Sequence, residues 1–160
     1  MKCIFAIDGT EFLVDDDDFD ILSQFRWRKN IYGYACRDQR CGDGVWRSVS
    51  MHRQIMGLER GDGLQVDHID HNPRNNVREN LRVCTKAQNA KNHAVMSTNK
   101  TGFKGVYWRK QIQRFCATIY YDGKQRHIGS FTDPHEAAHA YNKEAIKHHG
   151  EFACLNPVGK

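Results

Sequence analysis

One stretch in the middle of the chain constrains the fold most, because it sets two short strands and a helix in a fixed order. Glycines precede a strand at residues 64–66, and a polar loop at residues 70–79 separates it from a second strand at residues 80–84. Thr85 and Gln88 have the spacing of a capping box, in which both side chains satisfy amide groups at a helix N-terminus. The stretch therefore predicts a unit of strand, loop, strand and helix.

The region before this unit is predicted to be β-rich with short helices. Alternating residues at 32–37 and 46–51 surround a turn-forming segment, which is the pattern of a hairpin with a long loop, and a short helix follows at residues 52–56. A run of aspartates at residues 15–18 suits a helix N-terminus, where the macrodipole favours anions. A metal site at these aspartates is the alternative interpretation.

The last third of the chain predicts a three-stranded antiparallel sheet packed on one helix. Strands are expected at residues 105–108, 115–121 and 125–131, with an Asp-Gly turn between the last two. An Asp-Pro pair then begins a helix that ends near Gly150 and carries small residues on one face. The predicted fold class is therefore α+β.

Length and composition exclude several classes of protein. A chain of 160 residues, 39% of them hydrophobic, forms one domain or two small ones and is too short for an eight-fold barrel. No run approaches the roughly 20 apolar residues that cross a bilayer, and no export signal opens the sequence. The six cysteines lack C-x-x-C spacing. We therefore expect a cytoplasmic protein with free thiols and no membrane partner.

Positive charge is concentrated in the later part of the chain. Residues 1–50 carry 7 basic and 9 acidic groups, residues 51–100 carry 8 and 5, and residues 101–160 carry 9 and 5. The net charges of these segments are thus −2, +3 and +4, which sum to the net +5 of the whole chain. A basic surface over two thirds of the sequence suits a polyanionic partner.

A set of polar side chains in the central unit has the chemistry of a metal site beside a base. Asp67 and His68 follow the first strand, Asn80 opens the second, and Asn89 and His93 are four residues apart, as on one face of a helix. A carboxylate and an amide oxygen with few nitrogens suit Mg²⁺ or Mn²⁺ better than zinc. Neighbours on a regular strand point to opposite faces, so Asp67 and His68 share a site only at a strand end or distorted turn.

The segment from Val66 to His93 closely resembles the HNH, or ββα-metal, nuclease motif of phage intron-associated homing endonucleases. This resemblance implies that Asp67 and Asn89 bind one Mg²⁺ or Mn²⁺ ion, that His68 is the general base and that Asn80 braces the loop between the strands. His93 matches the last position of the motif, as a metal ligand or a phosphate contact. The implied activity is site-directed, homing-type cleavage of double-stranded DNA that leaves 5′-phosphate and 3′-hydroxyl ends, without a small-molecule cofactor.

Alternative interpretations of the same residues stay open. The competing function is a DNA-binding regulator whose HNH finger is only a structural platform. His71 is interpreted as a surface loop residue, and His52 and Arg53 either approach phosphate or belong to an ordinary amphipathic helix. A protein of this kind is expected to be a monomer or a weak dimer.

Residues 101–157 resemble a second family, the APETALA2/ethylene-response-factor DNA-binding domain. The resemblance is carried by the segments at 105–107, 117–119, 128–131, 137–141 and 155–156. It implies that the sheet reads DNA in the major groove while the helix supports its back. Strand alternation places Ala117 and Ile119 inward and Cys116 outward. The expected DNA-binding residues are Tyr107, Arg109, Arg114, Thr118, Tyr120, Gln125 and His127.

The two resemblances predict a two-module protein. An HNH nuclease domain is expected at residues 1–93 with its finger at 64–95, followed by a linker at 94–100 and the DNA-binding domain at 101–157. The helix at residues 135–139 also fits the H-E-x-x-H pattern of zinc proteases. Asn142 and Ala145 stand where the metzincin extension needs Gly and His, so we do not expect a protease.

Overall fold

The protein is described from a computed structural model, which covers residues 1–95 and 97–159. The described chain contains four helices and several small antiparallel sheets, so the predicted mixture of helix and strand is confirmed. It divides into two compact units, one comprising Met1–Asn89 and the other beginning at Ala90. The predicted linker at residues 94–100 includes Met96, which lies outside the described residues.

The first unit contains three small sheets, ordered β1-β2, β3-β4-β5 and β6-β7. Its elements are β1 (Lys2–Phe5), β2 (Glu11–Val14), α1 (Asp16–Leu22), β3 (Arg28–Lys29), β4 (Ala35–Arg40), β5 (Trp46–Ser50), α2 (Met51–Ile55), β6 (Leu64–His68), a 3-10 turn (Arg78–Asn80), β7 (Leu81–Thr85) and α3 (Lys86–Asn92), whose last residues belong to the second unit.

Large apolar side chains from distant parts of the first unit form its core. Phe12 and Val14 point inward from alternate positions of β2, and Leu22 and Met51 meet them from α1 and α2. Trp27 is also fully buried, and its indole N–H donates to the Leu22 carbonyl at 2.8 Å. Each of these side chains contributes roughly 1.5–3 kcal/mol by burial, which holds the short sheets together.

The aspartate run lies at the N-terminus of α1, as predicted. Asp15 Oδ2 accepts the Arg78 backbone N–H at 2.7 Å. Asp18 receives the Arg78 guanidinium in a bidentate contact at 2.6 and 2.9 Å. The alternative metal site is therefore replaced by contacts that fix α1 against the loop before β7, since a bidentate pair restrains both partners.

The second unit places a sheet against a long helix. Strands β8 (Val106–Arg109), β9 (Arg114–Tyr121) and β10 (Lys124–Phe131) form an antiparallel sheet in the order β10-β9-β8. They are followed by α4 (Pro134–His149) and a 3-10 turn (Gly150–Phe152). Alanines of α4 are fully buried among the apolar residues of this sheet, because small side chains allow a close approach.

Two positions in this sheet show how tightly it packs. Gly105 has a φ of +74°, and a Cβ atom built there would lie 2.2 Å from Tyr141 Cδ2. Cys116 was expected on an outward surface but is fully buried, because β9 is the central strand and the thiol lies 3.4 Å from Ser130 Oγ. Ala117 and Ile119 are buried as expected.

All six cysteines are free, as predicted. Within the described residues, no helix is both long and apolar enough to cross a membrane.

Candidate active site

A buried ion pair fixes Asp67 near the end of β6. Asp67 lies directly opposite Arg82 in the antiparallel pairing of β6 with β7. Its Oδ2 atom accepts from Arg82 Nε at 2.9 Å and from Nη2 at 2.7 Å, and both side chains are largely buried. Residues that face each other across two strands share one face of the hairpin. The pair therefore orients the carboxylate on the face that carries Arg82.

Helix α3 brings Asn89 over the same face of the hairpin. Its start is set by the predicted capping box: Thr85 N–H donates to Gln88 Oε1 at 2.8 Å, and Gln88 N–H donates to Thr85 Oγ1 at 3.2 Å. One turn later, Asn89 Nδ2 donates to Gln65 Oε1 at 2.8 Å. Gln65 precedes Asp67 by two residues and so shares its face. The structure thus brings the two predicted metal ligands to one side of β6.

The His68 side chain points to the other face of β6, and His68 pairs with Leu81 of β7. Its ring lies 5.5 Å from the Tyr34 ring and 5.3 Å from the His52 ring, measured between centroids. Its Nε2 atom lies 3.3 Å from Asn76 Oδ1. Burial lowers the pKa of His68, although the bond to Asn76 and the nearby Asp70 and Asp67 carboxylates oppose this shift. The imidazole is therefore kept neutral at physiological pH.

Both Asp67 and His68 lie at the end of β6, one of the arrangements in which strand neighbours can serve one site. Burial raises the pKa of Tyr34, and the negative charge of Asp67 raises it further and also acts on the His68 imidazole. The carboxylate is thus close enough to influence the histidine cluster from the other face of the strand.

Tyr34 and His52, like Asn76, lie near His68 and were not assigned to the site from the sequence. The His52 ring lies 5.1 Å from the Tyr34 ring, and burial, aided by His68 and Arg53, lowers the pKa of His52 to about 3. Arg53 instead donates to the Leu64 carbonyl at 2.7 Å and pairs with Asp62 at 3.0 Å. The sequence analysis singled out His52 and Arg53 of α2 but could not distinguish their roles.

Asn80 connects both ends of the loop between the strands. Its Oδ1 atom accepts the Asp70 N–H at 3.0 Å, and its Nδ2 atom donates to Asp70 Oδ1 at 2.9 Å and to the Asn75 carbonyl at 2.8 Å. Its own carbonyl accepts the Ile69 N–H at 2.9 Å. These contacts restrain the segment that follows His68.

The two remaining histidines of this region lie in exposed positions. His71 has a φ of +62° in the loop after β6 and is exposed. Helix α3 ends at Asn92, so His93 lies outside the helix that was expected to place it beside Asn89. The side chain of His93 is exposed, while its carbonyl accepts Lys104 Nζ at 2.6 Å. The assignment of His93 as a metal ligand stays a prediction.

Comparison with known proteins identifies a family match over the same region of the chain. The sequence pattern of the HNH endonuclease family matches residues 49–91, which include α2 and its His52. An uncharacterised HNH endonuclease of Acanthamoeba polyphaga mimivirus is 30% identical over 154 residues, which cover 94% of this chain and 76% of that protein. This chain belongs to the HNH endonuclease family.

A second viral relative of this HNH endonuclease is Protein 3.8 of Escherichia phage T7. It is 33% identical over 111 residues, which cover 68% of this chain and 91% of the phage protein. No solved structure matches the chain at a significant level. The family match ends at residue 91, so the resemblance of residues 101–157 to an APETALA2-type domain stays a prediction.

The donor atoms of this HNH endonuclease fit a magnesium-like ion. Asp67 and Asn89 offer a carboxylate and an amide oxygen, which hard divalent cations prefer. Among residues 1–95 and 97–159, no group of three or more His, Cys, Asp or Glu side chains is arranged to hold a metal ion. Two protein oxygens match Mg²⁺, which keeps several of its waters, better than they match a closed zinc site.

The sheet of the second unit presents polar side chains on the face that α4 does not cover. Pairing places Tyr107 and Arg109 of β8 opposite Cys116 and Arg114, and Gln125 and His127 of β10 opposite Tyr120 and Thr118. Six of the seven predicted DNA-binding residues are exposed. Thr118 is partly buried and accepts from Gln125 Nε2 at 3.1 Å. This face carries no acidic residue in its described strands.

Proposed function

We propose that this HNH endonuclease hydrolyses phosphodiester bonds of double-stranded DNA at a preferred site, with one Mg²⁺ or Mn²⁺ ion per active site, as a homing-type enzyme. The proposal rests mainly on the neutral His68 imidazole at the end of the strand that carries Asp67. The family supports nuclease activity on DNA. The metal, the residue roles and the homing type are our inferences.

His68 is the proton acceptor in this proposal. Asn76 Nδ2 donates to the Pro73 carbonyl at 3.3 Å, so its Oδ1 atom faces His68. A neutral imidazole that contacts this oxygen carries its hydrogen on Nε2, and Nδ1 is then the basic nitrogen. A water molecule that loses its proton to Nδ1 becomes the nucleophile for the phosphorus atom, a role that contributes about 10²–10⁴-fold in rate.

Asp67 and Asn89 supply the electrostatic part of the proposal. When bound, the divalent ion would act as a Lewis acid on a phosphate oxygen and on the departing 3′ oxygen. Arg82 would keep the Asp67 carboxylate oriented through its two hydrogen bonds. Asn80 would hold the loop after His68 so that the imidazole stays at the end of β6.

The second unit is proposed to direct the cut. Phosphate contacts carry no sequence information, whereas side chains on an exposed sheet face can reach base edges in a groove. Arg109 and Arg114 lie side by side on that face, with Tyr107 and Gln125 on the flanking strands. Linking such a reader to a nuclease raises the local concentration of the preferred site.

A single substitution separates the nuclease from the alternative DNA-binding regulator. We expect His68→Ala to lower cleavage of supercoiled plasmid in Mg²⁺ by 100-fold or more while it retains DNA binding. The plasmid should carry the DNA that flanks the gene, and His71→Ala is the matched control from the exposed loop. Equal cleavage by His68→Ala and the parent protein would refute the catalytic role of His68, and a parent protein without Mg²⁺-dependent cleavage would favour the regulator.

A further inference from the structure

A polar cleft of about 1000 Å³ lies in the first unit, between strands β4 and β5 and the segment from α2 to residue 61. Its volume lies at the upper end of the range typical of ligand sites. Four arginines line it against one acidic residue, Glu59. The arginines are Arg37, Arg47, Arg53 and Arg60, and serine and glutamine side chains lie between them. The composition of the lining favours an anionic ligand.

Arg37 is held in the cleft by neutral amide groups and an aromatic ring. Its Nε donates to Gln54 Oε1 at 3.1 Å and its Nη2 to Gln39 Oε1 at 2.9 Å. Its guanidinium carbon lies 4.0 Å from the centroid of the Phe25 ring. Among the described residues, Arg37 has no carboxylate partner, whereas Arg47 and Arg53 pair with Asp43 and Asp62.

This arrangement prepares Arg37 for an external anion. The guanidinium is partly buried, and burial lowers its pKa from the ordinary value. Two neutral amide oxygens and an aromatic face orient the side chain without cancelling its charge. A partly desolvated cation held in one orientation gains most from a ligand that accepts a planar pair of N–H donors, such as a phosphate group.

The opposite wall of the cleft is held in place by Arg53. Its guanidinium contacts the Glu59 carbonyl, the Leu64 carbonyl and the Asp62 carboxylate, so it fastens the loop that carries Arg60. Arg60 is exposed on this loop. Arg37 and Arg60 thus provide two positive charges on opposite walls of the cleft, and hydrogen bonds hold both walls in place.

We propose that this cleft binds the phosphate backbone of the DNA substrate, with Arg37 as its central contact. The inference rests on the proposed nuclease function, because Gln54 of the cleft and His52 beside His68 belong to the same short helix α2. His52 and Gln54 are two residues apart on α2 and so point to different sides of it. The cleft would therefore hold a phosphate other than the one that is cleaved.

The test measures binding to duplex DNA at several salt concentrations, in a His68→Ala background that prevents cleavage. Loss of one phosphate contact reduces the slope of log affinity against log salt by about 0.9, which is about eightfold in affinity at 0.1 M salt. We expect this change for Arg37→Gln, and retention of the parent slope for Arg37→Lys. Arg28→Gln is the matched control, because Arg28 lies outside the cleft and pairs with Asp38 at 2.8 Å.

The outcomes separate this inference from the function on which it rests. An unchanged salt slope in a folded Arg37→Gln variant, while the His68-containing parent still cuts DNA, overturns the cleft alone. Inorganic phosphate provides a second arm, titrated by calorimetry against parent and Arg37→Gln. If Arg37→Gln loses binding to inorganic phosphate but keeps the parent salt slope on DNA, the cleft binds a free anion and the DNA assignment is wrong. Far-ultraviolet circular dichroism reports whether each variant is folded.

Discussion

Burial of the His52 imidazole should make the first unit unstable in mild acid. The pKa of His52 is lowered to about 3 by burial and by the neighbouring His68 and Arg53, and its Nδ1 atom is buried without a hydrogen-bond partner in the described structure. The ordinary pKa of 6.5 returns when the unit unfolds. Between pH 3 and pH 6.5, His52 therefore binds a proton in the unfolded chain but not in the folded chain. Stability is therefore complete above pH 6.5 and is lost as the pH falls below it.

The magnitude follows from the two pKa values. A full difference of about 3.5 units corresponds to about 5 kcal/mol, reached only below pH 3. At pH 5.0 the loss is about 2 kcal/mol relative to pH 7.5. The loss at pH 5.0 depends mainly on the His52 pKa in the unfolded chain, because the folded pKa of about 3 lies far below 5. Such a loss is a sizeable fraction of the 5–15 kcal/mol that typically stabilises a domain.

The assay is urea unfolding of parent and His52→Gln at pH 7.5 and pH 5.0, followed by the emission of buried Trp27. Glutamine cannot be protonated, so the variant should lose about 2 kcal/mol less than the parent over this pH interval. His139→Gln is the control, because it removes an exposed histidine of the second unit. If parent and His52→Gln lose the same free energy between the two pH values, the buried neutral His52 is not the cause of acid instability.

Three further predictions follow from other contacts. Gly105→Ala should destabilise the second unit by about 3 kcal/mol or more in thermal unfolding, because its φ is +74° and the added Cβ would meet Tyr141. Asn80→Ala removes hydrogen bonds to Asp70 and Asn75, so we expect about 2–3 kcal/mol lower stability in urea and cleavage reduced at least tenfold. EDTA should abolish plasmid cleavage, and added Mg²⁺ or Mn²⁺ should restore it. An unchanged melting temperature of Gly105→Ala would contradict the first expectation, and parental cleavage by Asn80→Ala would contradict the second. Cleavage that persists in EDTA would contradict the third.

Local sequence signals predicted most of the elements in both units. The three strands of the second unit lie within one residue of their predicted bounds, because alternation and an Asp-Gly turn act between neighbours in the chain. The capping box likewise placed the start of α3 correctly. The hairpin of β4 and β5 was predicted, but β4 begins at Ala35 and not at residue 32. Asn30 and Gly33 form a turn just before it, and the backbone there is not extended.

The surroundings of His68 could not be predicted in the same way. Tyr34, His52 and Asn76 reach it from three separate segments, and no local pattern states that these segments meet. The pairing of Asp67 with Arg82 depends on strand register, since a shift by one residue would send Arg82 to the other face. Such tertiary contacts decide the protonation of the site, which the sequence of the motif leaves open.

The orientation of Asp67 and His68 links stability and chemistry in this fold. Because they are neighbours on β6, the carboxylate leaves toward α3 while the imidazole enters a cluster with the Tyr34 and His52 rings. Burial in this cluster lowers the pKa of His68 and keeps it able to accept a proton, and burial also keeps His52 in its neutral form. The same burial that prepares the base for cleavage thus removes folding free energy below pH 6.5. Folding free energy should therefore begin to fall near pH 6.5, whereas His68 of the folded protein stays able to accept a proton below its ordinary pKa of 6.5.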